Sequence, residues 1–346
     1  MTNKLYCSFG QTKGLLYSSW YDAILNRDFK PPVGAGIDLT NACNLNCVWC
    51  NSESFRGGNT LPTSHVMSIV DMLSSWGVKS VCYAGGGEPS LHPDFDKILE
   101  YTWRKGLEVG VSTNGTALKE KDISAIINYC RFCGVSVDAG TKKTWEAVKG
   151  SDLFPELVET CSLLAHKARN TDLDLTFKML ISPENQYEIF PAAELAKCIG
   201  FKNFFMRPVA FENIPGQEKD LSFDTAAIQE QIALCQGLET DSFQVFLNFG
   251  RVTSDLHKVH RFTKCRASPL FAMFCADGYC YLCIDYRARP AWRLCEHLEI
   301  RKVWNSPEHH RLIDSIRIGD CPRCTFGNYN EQIEHYRKDT FFKWFP

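Results

Sequence analysis

Three cysteines in one short run, Cys43-Asn44-Leu45-Asn46-Cys47-Val48-Trp49-Cys50, are spaced C-x3-C-x2-C. That spacing supplies three thiolates to a four-iron cubane and leaves one iron without a protein ligand. An iron with an open position can bind a small chelating molecule and pass it an electron, which suits chemistry rather than structure. Further on, an apolar stretch from Val78 to Ala84 runs into Gly85-Gly86-Gly87-Glu88-Pro89. Glycines let a backbone approach a ligand's amino and carboxylate groups with no Cβ between them, and Glu88 offers a counter-charge to an ammonium.

Together the two motifs resemble the signature of the radical S-adenosylmethionine (radical SAM) enzymes, including the aromatic residue, here Trp49, before the third cysteine. The resemblance implies that Cys43, Cys47 and Cys50 hold a [4Fe-4S] cluster with an open site. It implies that Gly85, Gly86, Gly87 and Glu88 receive the methionine end of SAM, and that an external one-electron donor such as flavodoxin or ferredoxin reduces the cluster. Cleavage of SAM would give a 5′-deoxyadenosyl radical that takes a hydrogen atom from the substrate, while the protein excludes water and presents a single C–H bond.

The same resemblance assigns polar residues at strand ends to SAM. Ser112-Thr113-Asn114-Gly115 ends one strand-like stretch and Ser136-Val137-Asp138 another. In resembling enzymes Ser112, Asn114, Ser136 and Asp138 would bond the methionine carboxylate and the ribose hydroxyls, and Asn185 and Glu188 look like the loop beside the adenine. By residue type alone, Asn114-Gly115 also makes a good turn and Ser136 a good turn or capping hydroxyl. Lys178 and Arg207 lie on apolar strands and are candidates to anchor a carboxylate of SAM or of substrate. An unpaired guanidinium there would be costly, so a salt bridge at the rim is the alternative for Arg207.

A second cysteine set begins at Cys265, passes Gly278 and Cys283, and ends in Cys321-Pro322-Arg323-Cys324. Leu270 to Ala276 and Tyr279 to Asp285 flank Asp277-Gly278, a pair that tight hairpins prefer, and such a ribbon brings Cys265 and Cys283 to one end. Four thiolates can then close around one centre, either zinc or iron–sulfur. The pattern is similar to the C-terminal auxiliary-cluster module called Twitch, the half-length form of the SPASM domain. That implies one auxiliary [4Fe-4S] cluster on Cys265, Cys283, Cys321 and Cys324. Cys275, Cys280 and Cys295 stay open between a further centre, a hydrogen-atom donor and packing. Cys7, Cys82, Cys130, Cys133, Cys161, Cys198 and Cys235 read mainly as small core residues, with hydrogen-atom donation the alternative for one of them.

These residues need a scaffold, and the pattern provides one. Strands are expected over Val33 to Thr40, Val78 to Tyr83, Leu107 to Ser112, Cys133 to Val137, Leu173 to Ile181 and Asn203 to Pro208. Helices are expected over Pro62 to Trp76 with Thr63 or Ser64 as cap, Phe95 to Lys105, Asp122 to Cys130 and Ile189 to Cys198. Alternating elements argue for an α/β fold with a mostly parallel sheet. The resembled fold is a partial (β/α)6 radical SAM barrel over residues 34–210. Before it lies an extension (1–33), and after it a bridging segment (211–264) and a small α+β auxiliary-cluster domain (265–346).

Composition excludes several classes. A chain of 346 residues, 45% hydrophobic and 23% charged, can build one large core plus a smaller unit. A net charge of −2 without basic runs disfavours nucleic acid. The start lacks a secretory signal, and no run of about 18 uncharged apolar residues suggests a membrane span. With an odd count of 17 cysteines, this points to a reducing, cytoplasmic setting. The half-length module resembles that of radical SAM dehydrogenases acting on aminocyclitols, so a small sugar, aminocyclitol or nucleoside is the first expectation for substrate. The short segment before the first strand argues against a winged-helix leader-binding domain and leaves modification of a ribosomal peptide second. A non-catalytic metal-binding scaffold is the alternative of another class, which has no use for the glycine turn.

Overall fold

The structure is a computed structural model that describes residues 11–209, 222–246, 260–321 and 324–336. The strands are β1 (Gly34–Ile37), β2 (Ser80–Tyr83), β3 (Glu108–Thr113), β4 (Cys130–Ser136), β5 (Asp174–Ile181), β6 (Asn203–Pro208), β7 (Gln244–Phe246), β8 (Phe271–Phe274), β9 (Tyr279–Tyr281) and β10 (Arg293–Glu296). All ten belong to one sheet, in the order β10-β9-β8-β1-β2-β3-β4-β5-β6-β7. Pairing is parallel from β8 through β1 to β7 and antiparallel from β8 to β10. The mixed α/β architecture with a largely parallel sheet is the one the alternating pattern predicts.

Because side chains alternate along a strand, register divides the sheet into two chemically different faces. Ile37, Tyr83, Val111, Val135, Phe177 and Phe204 are fully buried beneath the helices. Their alternates, Gly36, Cys82, Gly110 and Phe132 in one row, Ser112 and Gly134 in the next, then Ser136, Lys178 and Phe205, form an inner face that mixes small and polar groups with two aromatic rings. A parallel sheet would ordinarily be apolar on both sides. This inner face is where polar chemistry has been left room.

The helices follow their apolar spacing. α1 (Ser18–Leu25) precedes the sheet, and α2 (Thr63–Trp76) buries Val66, Ile69, Val70 and Leu73 and stops at Gly77, which takes φ +94 as a left-handed cap. The expected Thr63 or Ser64 cap is not made: Thr63 Oγ1 donates to Asp94 instead, at 2.7 Å, joining α2 to α3 (Phe95–Arg104). α4 (Glu120–Tyr129) starts earlier than predicted, where the Asp122 carboxylate accepts from the Lys119 N–H. Cys130 leaves the helix for β4, because it pairs with Val109 of β3. α5 (Lys142–Lys149) and α6 (Phe154–Ala168) are helices the sequence reading missed, although Leu157, Cys161, Leu164, Ala165 and Ala168 form a regular buried stripe. α7 (Ile189–Ile199) closes the series.

The segment read as a bridge contains α8 (Thr225–Gln236) and β7, while 210–221 and 247–259 lie outside the described residues. The expected hairpin forms, with Gly278 at φ +92 and the Cys275 N–H donating to Tyr279 O at 3.0 Å. It does not stand apart from the barrel. β8 lies parallel against β1, Gly34 to Phe271 and Ile37 to Phe274, and Ala272 and Phe274 join the main core. No helix among the described residues is long and apolar enough to cross a membrane.

Removing residues 265–346 would leave β1 as a bare edge and uncover the apolar groups that β8 covers. Such a truncated chain is expected to aggregate in size-exclusion chromatography. A soluble monomer with cooperative unfolding would show that the C-terminal unit is dispensable to the sheet.

Candidate active site

The cysteine loop leaves β1 and is stitched on both sides. Asn46 N–H donates to Lys149 O and Val48 N–H to Val148 O, tying it to the end of α5. Gly87 N–H donates to Thr40 O and Glu88 N–H to Ala42 O, each at 2.8 Å, tying it to the glycine turn after β2. The turn has no room for side chains: a Cβ on Gly85 would come within 1.7 Å of Gly87 O, and one on Gly87 within 2.0 Å of Ala42 O. Cys43, Cys47 and Cys50 are half-buried, whereas Cys130, Cys133, Cys161 and Cys235 are buried core residues. The Asn114 amide lies 4.0 Å from Cys43 Sγ, and the Arg56 guanidinium donates to Asn46 Oδ1 in the same loop. Partly accessible sulfurs in a loop held on both sides suit the ligands of an iron–sulfur cluster, while Cys43 and Cys47 also rest against the core.

Several residues expected to meet SAM are instead tied to the protein. Glu88 is 2% exposed, and its carboxylate accepts from Ser90 N–H and Oγ, Thr113 Oγ1 and Asn114 N–H. It therefore fastens the turn to the end of β3, and burial pushes its pKa up. Asp138, at φ +64, is buried with one oxygen on Lys149 Nζ and the other accepting from Leu180 N–H. Burial opposes the Lys149 ammonium, but Asp138 and Cys47 hold its pKa above the usual lysine range. Asn185 is fully buried and occupied by Asp138 O, Leu180 O and Ser182 N–H, so it locks its own loop. Glu188 holds the 140–144 segment through Gly140, Thr141 and Thr144.

Ser112, Ser136, Lys178 and Arg207 do reach the inner face. Lys178 crosses β4 at Gly134, where a Cβ would meet its Cδ at 2.6 Å, and its Nζ donates to Ser112 Oγ at 2.6 Å. Burial, and then the nearby Arg207 guanidinium, push the Lys178 ammonium down to about 8. Asn114 turns towards the cysteine loop, donating to Asn44 Oδ1 at 2.9 Å while its own Oδ1 accepts from Thr116.

Around the second cysteine set the flanking residues are tied together, although among the described residues no three His, Cys, Asp or Glu side chains converge closely enough to hold a metal ion. Burial, and then the Asp285 carboxylate, push the Cys283 thiol well up. Burial pushes the Cys265 thiol up to about 12, as befits a sulfur that stays protonated unless a metal takes it. Asp285 accepts from Thr325 N–H and Oγ1, and Asn330 accepts from Arg266 and Ala267 N–H while its amide lies 3.6 Å from Cys324 Sγ. Sequence reading missed Asn330, Asp285, Lys149 and Arg56, since nothing in residue spacing marks a residue whose partner lies in another segment. Cys280 and Cys295 face each other across β9 and β10 as free thiols, with the Cys280 Sγ 4.0 Å from His297 O, and Cys275 packs with Met273 and Tyr281. All three have partners other than the four-cysteine set.

Residues 37–196 match the radical SAM superfamily model. The antilisterial bacteriocin subtilosin biosynthesis protein AlbA of Bacillus subtilis is 28% identical over 52% of this chain and 40% of its own length. The AdoMet-dependent heme synthase of Methanosarcina barkeri is 31% identical over 49% of this chain and 50% of its own. The chain thus spans half or less of these two curated relatives. In structure it is similar to Streptococcus suis SuiB bound to the precursor peptide SuiA, with TM-score 0.69 and 14% identity over 86% of this chain and 70% of that one. SuiB has also been solved with S-adenosylmethionine. The family's cofactors are a [4Fe-4S] cluster and SAM.

Two outcomes follow from this geometry. Asn330→Ala would strand two buried N–H groups, so urea unfolding should show a loss of about 2 kcal/mol or more, with iron lost selectively from the four-cysteine set; unchanged stability would sink the assignment. In 13C NMR of labelled lysines, one resonance should titrate near pH 8 and vanish in Lys178→Met. The inner face holds its charged form below that pH and the neutral amine above it.

Proposed function

Residues 37–196 are a radical SAM domain, and from that premise we propose that the protein takes a hydrogen atom from a peptide substrate and oxidises it. When bound, SAM and the [4Fe-4S] cluster supply the one-electron chemistry that ends in hydrogen-atom abstraction from carbon. The chain's own residues bind, orient and shield. Cys43, Cys47 and Cys50 would hold the cluster, and Gly85 to Gly87 would take the amino-acid end of SAM. Ser112, Ser136 and Arg207 are the proposed further contacts of SAM on the inner face. Asn114 would act beside Cys43, and Asp138 and Asn185 through the loops they hold. Cys265, Cys283, Cys321 and Cys324 would hold an auxiliary cluster that accepts the second electron.

The observation that carries this reading is the stitching of a half-exposed cysteine triplet to the glycine turn through Gly87 and Glu88 N–H. A peptide substrate is supported by AlbA, which by name serves bacteriocin biosynthesis, and by the precursor peptide in SuiB. These favour a peptide over the sugar or aminocyclitol that the half-length module suggested. A small-molecule substrate remains the second reading, favoured by the heme synthase relative.

Anaerobically reconstituted protein is expected to hold about eight irons, enough for two cubanes, and to release 5′-deoxyadenosine with dithionite. Cys47→Ala should abolish release while the second set keeps its iron, and persisting cleavage would end the site assignment. Mass spectrometry of short peptides encoded beside its gene should find one that loses two hydrogen atoms. Turnover of a small molecule with no peptide altered would overturn the peptide reading.

A further inference from the structure

Arg287 lies four residues after Cys283 in the C-terminal unit, yet its guanidinium is buried against the first strand and the glycine turn. Its Nη1 donates to Gly85 O at 2.6 Å and to the Asp38 carboxylate at 3.1 Å, and its Nε donates to Ile284 O. Asp38, just past β1, is fully buried, and its own N–H donates to Phe274 O of β8 at 2.8 Å. Gly85 O is the carbonyl of the Gly85–Gly86 peptide. The ion pair therefore grips that peptide by its carbonyl from the C-terminal side, with its carboxylate anchored on the barrel side.

A triple-glycine turn has no side chains to set its own conformation and many backbone conformations open to it. Something outside the turn must orient its peptides, and a charge-assisted pair does so with direction as well as strength. Desolvation makes this pair costly on its own, so its retention fits a specifying role. Arg287 is in turn held through the four-cysteine set. Asp285, between Cys283 and Arg287, bonds Thr325 beside Cys324, and the Tyr286 hydroxyl donates to Asp320 O beside Cys321.

We propose that the Asp38–Arg287 pair is a clamp through which the C-terminal unit orients the Gly85–Gly86 peptide for SAM, making Arg287 a positioning residue for SAM binding. The proposal rests on the reading that the glycine turn receives SAM. It makes SAM affinity depend on a side chain far in sequence from every barrel motif, and on the integrity of the four-cysteine set.

The test uses anaerobically reconstituted full-length protein and equilibrium dialysis with labelled SAM. Arg287→Gln is expected to weaken SAM binding about tenfold, while iron content and the maximal rate of SAM cleavage at saturating SAM stay within about twofold, so that KM moves and kcat does not. Because Arg287→Gln leaves Asp38 buried without its counter-charge, the double variant Asp38→Asn/Arg287→Gln is measured beside it and should lose the same affinity. Gly87→Ala, which drives a Cβ into Ala42 O, separates the two possible failures. If it too binds SAM normally, the glycine turn does not receive SAM. If it loses SAM while both Arg287 variants keep wild-type affinity, the clamp is overturned.

Discussion

The parallel pairing of β8 with β1 is the contact on which the rest of the molecule depends. Without it, β1 would be an edge strand, and the loop that leaves it with Cys43, Cys47 and Cys50 would hang from an uncovered rim. With it, β1 is held between β2 and β8, and one sheet carries both cysteine sets. The same pairing sets Cys275 beside Asp38 and brings the segment after β9 over the glycine turn. Two units that read separately along the chain thereby share one sheet and one core.

A second constraint is the treatment of charge in that shared interior. Asp38 with Arg287 and Asp138 with Lys149 are buried ion pairs. Such pairs add little net stability, because desolvation offsets most of the attraction, but losing one partner is severe. Both pairs hold backbone that has little local preference of its own. Asp38 and Arg287 grip a glycine peptide, while Asp138 occupies a left-handed conformation and receives Leu180 N–H. Burial pushes the Asp38 carboxyl up to about 6 against the pull of Arg287, which marks how dry this region is.

The inner face extends the same economy to ligand space. Gly36 and Gly134 make room for neighbouring side chains: Met273 and the Phe271 ring lie over Gly36, and Lys178, with the Phe132 ring, lies across Gly134 to reach Ser112. Where a helix-covered parallel sheet would normally be apolar, polar side chains are placed at strand ends, the position from which parallel α/β folds usually work. Lys149 belongs to a different zone, near Cys47 and Cys43. The two lysines thus divide the site into a region beside the cysteine loop and one deeper on the sheet.

Much of this was legible along the chain. The cysteine spacings, the glycine turn, the six strands β1 to β6 and the helical stripe of α2 depend on neighbours within a few residues, and local geometry imprints itself on sequence as period and spacing. The roles of Glu88, Asp138 and Asn185 were not legible, because a carboxylate or amide at a strand end looks the same whether it faces a ligand or a backbone N–H. Arg287, Asn330 and Lys149 had no signal at all, since their partners lie in other segments. By itself the sequence determined which residues can do chemistry and the strands and helices that carry them. Only the tertiary structure decided which polar groups bond within the protein and that Arg287, close in sequence to the second cysteine set, reaches the glycine turn, because long-range pairing is chosen by burial and register, which no local pattern records.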